Sequence, residues 1–263
     1  MDEPSQDPSP RHPNRPDRSW ALDSLPWPRV QEALARDPRL LFPVGALVQH
    51  GRHLPLGTNT FIAEAVARVI SREGEILRAP AFHFGVRGPE REGYTGSVGI
   101  QRKTLHRALN ELLAEWEDHG VQEFILLTAH RHEPHLDALL MAMTSSANTT
   151  VINLYSLEVA DLLEGSPRAE HAGELETSLM LFLAPDLVHV GQVRDVVPDP
   201  RTYRKYARGR VPTPPPGSGG TLGVPSRASA AKGEAVFNRY ISALQEILLP
   251  PSRPDDFSRA RDR

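Results

Sequence analysis

The residues best suited to chemistry crowd into the stretch Leu41–Thr60, LFPVGALVQHGRHLPLGTNT. It begins as an apolar run, passes Gly45 and Gly51, and packs His50 and His53 into a turn that ends at Thr58-Asn59-Thr60. Two other segments, Ala129-His130-Arg131-His132-Glu133 and His171–Ser178, carry groups that would complete a site with it. The chain has no cysteine. Disulfides and thiolate metal sites are therefore excluded, and any metal must be held by His, Asp or Glu.

The elements that must position these residues follow from periodicity. Leu40–Val44 reads as a buried strand running into the His50/His53 loop, and Phe124–Thr128 as a central strand, apolar throughout and covered on both faces. Helical spacing appears at Ile62, Val66, Val69 and Ile70 within Thr60–Arg72. Lys103–His119 shows it with Leu105, Leu109, Leu112, Leu113 and Trp116 on one face, and Gly120 follows as a C-cap. Further helices are expected from Trp27-Pro28, through Leu136, Leu139, Leu140 and Met143, over Leu157–Leu163, over Glu174–Leu183, and over Ala228–Leu249 with Val236, Tyr240, Leu244 and Ile247 aligned. Strands are expected at Ala79–Val86, Thr150–Tyr155 and around Val188 and Val190. Strands alternating with helices imply an α/β fold, a mainly parallel sheet with helices on both faces. In such a sheet ligands sit beyond the carboxyl ends of the strands, where the loops of His50 and His130 would lie.

Composition limits the function classes. The 263 residues suit one α/β domain over residues 19–249, and 39% hydrophobic with 24% charged residues is ordinary for a soluble protein. A net charge of -3 gives no reason to expect nucleic acid or an anionic membrane as partner. No apolar run approaches the roughly 20 residues of a membrane span, and the polar, Pro-rich start is no signal peptide. The chain reads as cytoplasmic. Residues 1–18 and 250–263 are expected to be disordered tails, and the basic, Pro/Gly-rich stretch 201–220 a mobile loop.

The motifs together resemble the creatininase (creatinine amidohydrolase) family. Leu41–Asn59 is similar to its signature, Gly93–Ser97 to its GFPGT loop, and Leu127–Glu133 to its strand ending in NGH. His171–Ser178, HAGELETS, followed by Met180 and Pro185, and Gly223–Glu234 match two later segments, so the resemblance covers about residues 24–249. It implies an α/β/α sandwich, a homo-oligomer, and hydrolysis of amide C–N bonds in small molecules by two divalent metals bridged by a carboxylate and a water.

The match is incomplete where metal would bind. The family's Glu position is Val48 and its bridging Asp position is Asn59, while the acid of the NGHxE variant is replaced by His132. Two dications about 4 Å apart repel by roughly 16 kcal/mol at an effective dielectric near 20. A bridging carboxylate offsets much of this, and an Asn amide far less. The resemblance then leaves a one-metal set: His50, His130 and Glu176 as ligands, with Asn59 or His132 completing or orienting it. Zinc is the expected ion, with manganese or iron as alternatives. His171 is implied as the catalytic proton carrier. His53 reads as a structural hydrogen-bonder, and Glu174 as a charge decorating a helix N-terminus. The alternative is a non-catalytic relative that keeps the fold, holds no metal, and binds a ligand or partner subunit.

Overall fold

The computed structural model describes residues 19–86, 94–165, 170–197 and 217–249. Four parallel strands form its sheet: β1 (Arg39–Pro43), β2 (Leu77–Arg78), β3 (Glu123–Thr128) and β4 (Asn148–Asn153), in the order β2-β1-β3-β4. Among the described residues six helices surround it: α1 (Trp27–Arg36), α2 (Thr58–Gly74), α3 (Arg102–Asp118), α4 (Glu133–Leu140), α5 (Glu174–Leu183) and α6 (Ala230–Leu248).

Alternation along the strands builds the three layers. Leu41, Ile125, Leu127 and Ile152 point to one face and pack with α2, α5 and α6. Leu40, Phe42, Phe124 and Leu126 point to the other, among side chains of α1, α3 and α4. Fully burying such a side chain is worth about 1.5–3 kcal/mol. β1 and β3, which carry the histidine loops, are therefore firmly anchored by two cores at once. The chain leaves β1 for β2 on one side and later returns to β3 on the other. Their carboxyl ends thus flank the crevice where the strand order reverses, the usual binding position in an open α/β sheet.

Several elements differ from the sequence expectation. The strand expected at Ala79–Val86 does not form, and the strand here is Leu77–Arg78, just before it. Pro80 has no N–H to give a ladder, and the segment touches its neighbours only at single bridges, Val44 with Phe82 and Val86 with Ile100. The valines at 188 and 190 form no strand, because the chain turns on its own carbonyls there, Val188 N–H to Pro185 and Gln192 N–H to His189. Leu157–Leu163 yields one 3-10 turn, Ala160–Leu162. α4 stops at Leu140 and leaves Met143 exposed, since the Glu117 carboxylate accepts the N–H groups of Ser145, Ser146 and Ala147 and pins the chain into a turn. β4 begins at Asn148 and ends at Asn153, two residues before Tyr155. Leu112 and Ile247, assigned to apolar faces, lie at the solvent edge of their helices. The tails at 1–18 and 250–263 and most of the 201–220 loop lie outside the described residues.

Candidate metal centre

The loop after β1 doubles back at once. Val48 N–H bonds the Leu56 carbonyl at 3.0 Å, His50 bridges Leu54, and Gly51 supplies the positive φ of 69° that this turn requires. At Gly45 a side chain would overlap Thr60, so the loop lies hard against the first turn of α2. That contact brings Asn59, on α2, under His50. His50 Nδ1–H donates to the Val48 carbonyl at 2.9 Å, and its Nε2 lies 3.1 Å from Asn59 Oδ1. Val48 itself offers only its carbonyl, its side chain being apolar and buried.

From β3, His130 stands on the far side of the same amide. Asn59 Nδ2 donates to His130 Nδ1 at 3.0 Å, and His130 Nε2 donates to the Val86 carbonyl at 3.0 Å. His135, on α4, backs this ring, accepting Val86 N–H at Nδ1 (3.3 Å) and donating from Nε2 to Thr128 Oγ1 (3.2 Å). His132 is half-buried, its ring centroid 5.9 Å from that of His130.

α5 contributes the third side. Ala172, held at φ 50°, points its N–H at Glu176 Oε2 (2.5 Å), while Glu176 Oε1 lies 3.8 Å from His50 Nε2. His171 donates Nε2–H to the Gln49 carbonyl at 2.8 Å, and its ring sits 4.7 Å from that of His50. Ligand atoms of His50, His171 and Glu176 all fall within 4.8 Å of one another. The structure thus joins His50, Asn59, Glu176 and His171, attaches His130 through Asn59, and leaves His132 at the edge. His53 Nε2 bonds Thr177 Oγ1 at 2.9 Å, the structural role expected of it. Glu174 stands in the first turn of α5 as expected, but does more than decorate it. It is fully buried, ion-paired to Lys232 at 2.6 Å, and accepts the N–H groups of Glu164 and Gly165.

Burial governs the electrostatics. It pushes His50 and His53 down to about 4 and His135 to about 3, and it holds His130 well below the ordinary imidazole range. These rings are neutral near pH 7, so the approach of His50 to Glu176 is not an ion pair. Burial also raises Glu176, but His50, His171, Arg131 and the Ala172 N–H outweigh it, and the net shift is downward. Glu170, beside His171, goes the other way: burial lifts it to about 7, although Leu175 and Glu174 N–H groups bond its carboxylate.

Whether these residues suit a cation follows from counting protons. A neutral His50 whose single N–H is given to Val48 has a bare electron pair at Nε2. That pair faces Asn59 Oδ1 and Glu176 Oε1, with no hydrogen among the three. Electron pairs converging in a buried site favour a positive partner among them, and a divalent ion supplies one. His50 and Glu176 are the residues that would hold it, with Asn59 Oδ1 and His171 beside them.

Some of this was invisible to sequence reasoning. Glu170 directly precedes the HAGE motif, a signal that was available; for His135, Tyr155 and Tyr240 there was none. The phenols of Tyr155 and Tyr240 are buried, and Arg131 lies 4.6 Å over the Tyr155 ring.

Comparison with known proteins places the whole fold in one family. The sequence model of the Creatininase family, described as creatinine amidohydrolase, matches residues 23–248. Creatinine amidohydrolase of Pseudomonas putida is 25% identical over 265 residues, which covers 89% of this chain and 99% of that protein. Mycofactocin precursor peptide peptidase of Mycobacterium tuberculosis is 31% identical over 220 residues, covering 76% and 80%. Among solved structures, a mutant creatininase of the Zn-Zn type superposes with a TM-score of 0.73 at 25% identity, over 89% of this chain and 100% of that one. With nearly all of its sheet, helices and histidine loops inside the match, the chain belongs to the creatininase family.

Proposed function

We propose that the protein is a metal-dependent hydrolase of an amide-type C–N bond in a small molecule, working with a single divalent ion. Zinc is the first choice for that ion, with manganese or iron as alternatives. The observation that carries this reading is the convergence of His50, Glu176 and His171 within 4.8 Å in a buried crevice at the sheet's switch point. The two named relatives, an amidohydrolase and a peptidase, both act on amide-type bonds. An ion held there would acidify a water and polarise the substrate carbonyl.

The chain's own groups do the rest. His50 and Glu176 would hold the ion, and the Val48 carbonyl sets the His50 ring. His171 has its Nε2–H committed to the Gln49 carbonyl, so Nδ1 is its basic atom. It takes the proton released as water attacks the carbonyl carbon. It then returns that proton to the nitrogen as the C–N bond breaks. His130 steadies Asn59 from behind, and His132 lies at the rim. The family resemblance further implies a homo-oligomer, and the composition of the chain a cytoplasmic one. Among the described residues no helix is long and apolar enough to cross a membrane.

The test is turnover of a panel of small amides by chelator-treated and metal-reloaded protein, with activity expected only after reloading. Val48 favours a second reading, because an apolar side chain stands where the family has a carboxylate. A non-catalytic relative would turn over nothing in either state and would gain activity only as the double variant Val48→Glu, Asn59→Asp.

A further inference from the structure

We infer that Asn59 limits the centre to one cation by closing His130 to metal. The inference rests on reading the site as a metal centre and adds what decides its occupancy.

Two backbone carbonyls fix the argument, because a carbonyl can only accept. Val86, 3.0 Å from His130 Nε2, requires the hydrogen to be there; Val48, 2.9 Å from His50 Nδ1, requires it there. Each neutral ring has one hydrogen, so both turn a bare electron pair toward Asn59, His130 through Nδ1 and His50 through Nε2. A primary amide cannot answer both, since one end donates and the other accepts. One contact must be mismatched. Turning the amide over would satisfy His50 and move the mismatch to His130. Adding a proton to either ring would instead bury a charge, at residues 0% and 9% exposed.

The surroundings decide the orientation. On the His50 side, Glu176 Oε1 stands 3.8 Å from Nε2, so a cation would meet a carboxylate, an imidazole and the amide oxygen together. On the His130 side the neighbouring rings are His132 and His135, at 5.9 and 4.8 Å. The amide oxygen therefore belongs beside His50 and the amide N–H against His130 Nδ1. That N–H occupies the only electron pair His130 has left. His50 is open to a cation and His130 is sealed, by the two ends of one side chain. An aspartate at position 59 has no hydrogen to give. It would return the Nδ1 pair to use, and with a carboxylate oxygen beside it that pair becomes half of a second site.

The experiment is ¹⁵N NMR of histidine-labelled protein, chelator-treated and then titrated with zinc, with bound zinc counted after gel filtration. Metal-free wild type should show His130 as the Nε2–H tautomer. Zinc should then move the His50 Nε2 resonance, leave His130 Nδ1 in place, and saturate at about one ion per chain. Asn59→Asp should take up about two ions and move His130 Nδ1. Zinc at both histidines in wild type, or an Asn59→Asp protein that still takes one ion, overturns the role of Asn59 and leaves the metal-centre reading standing. Zinc at neither histidine overturns that reading, and this inference with it. Should Asn59→Asp fail to fold, the wild-type spectra decide alone, because they read His130 directly.

Discussion

His50 and Glu176 carry the ion in this account and His171 carries the proton, and single substitutions separate the two duties. Glu176→Gln should keep the Ala172 N–H bond, and so the fold, while removing the only carboxylate of the cluster. Zinc affinity should fall at least about 100-fold, measured by competition with a chromophoric chelator. His171→Ala should leave zinc affinity within about 10-fold of wild type. It should lower kcat by roughly 10²–10⁴, the usual worth of a positioned acid/base. A His171→Ala protein that loses zinc as completely as Glu176→Gln would make His171 a ligand rather than a proton carrier. His50, His171 and Glu176 were legible in the sequence because each sits in a motif. What could not be read was the wiring: Asn59 meets His130 across 71 positions and His171 meets Gln49 across 122. Composition and spacing say nothing of which nitrogen faces which carbonyl.

At the scale of elements, the helices that hold the site were legible wherever an apolar period ran for several turns. α5 begins and ends at Glu174 and Leu183 as expected, and α2 exceeds its expected span by two residues at each end. Short strands failed for a physical reason. A strand exists only if a neighbour pairs with it, and the valines at 188 and 190 have β-propensity without a partner. The seat of α5 depends on a feature with no periodic signal, Gly233 on α6, where any side chain would overlap the Ser178 carbonyl oxygen. Gly233→Ala should force α6 off α5 and cost about 1–3 kcal/mol, read as a lower urea midpoint. Because Glu176 and Ser178 share α5, zinc affinity should fall with it. An unchanged midpoint would mean that the two helices separate easily and do not fix the site.

For the whole molecule, the buried rings make acid stability a prediction with a definite sign. His50 and His53 are depressed to about 4 and His135 to about 3, against an ordinary value near 6.5. The unfolded chain therefore binds protons below that value which the native protein refuses, and stability is lost as pH falls through it. Glu170, raised to about 7, opposes this, since the native state keeps a proton there that the unfolded chain releases above its ordinary value. Four histidines, His130 among them, against one carboxyl leave a net of about three protons near pH 5.5. The metal-free protein should be about 3–4 kcal/mol less stable at pH 5.5 than at pH 7.5, by urea unfolding in chelator. Constant or rising stability over that interval would mean that the rings are not held neutral. The two-faced core and the parallel sheet were foreseeable from alternating strands and helices. The cluster of neutral rings was not, because burial of a histidine is a property of the assembled fold.

The most direct test of the central claim is the metal content of the wild-type protein, equilibrated with zinc, freed of unbound ion and analysed by elemental mass spectrometry. The account predicts about one zinc per chain, abolished by Glu176→Gln. Less than about a tenth of an equivalent in the wild type would contradict it.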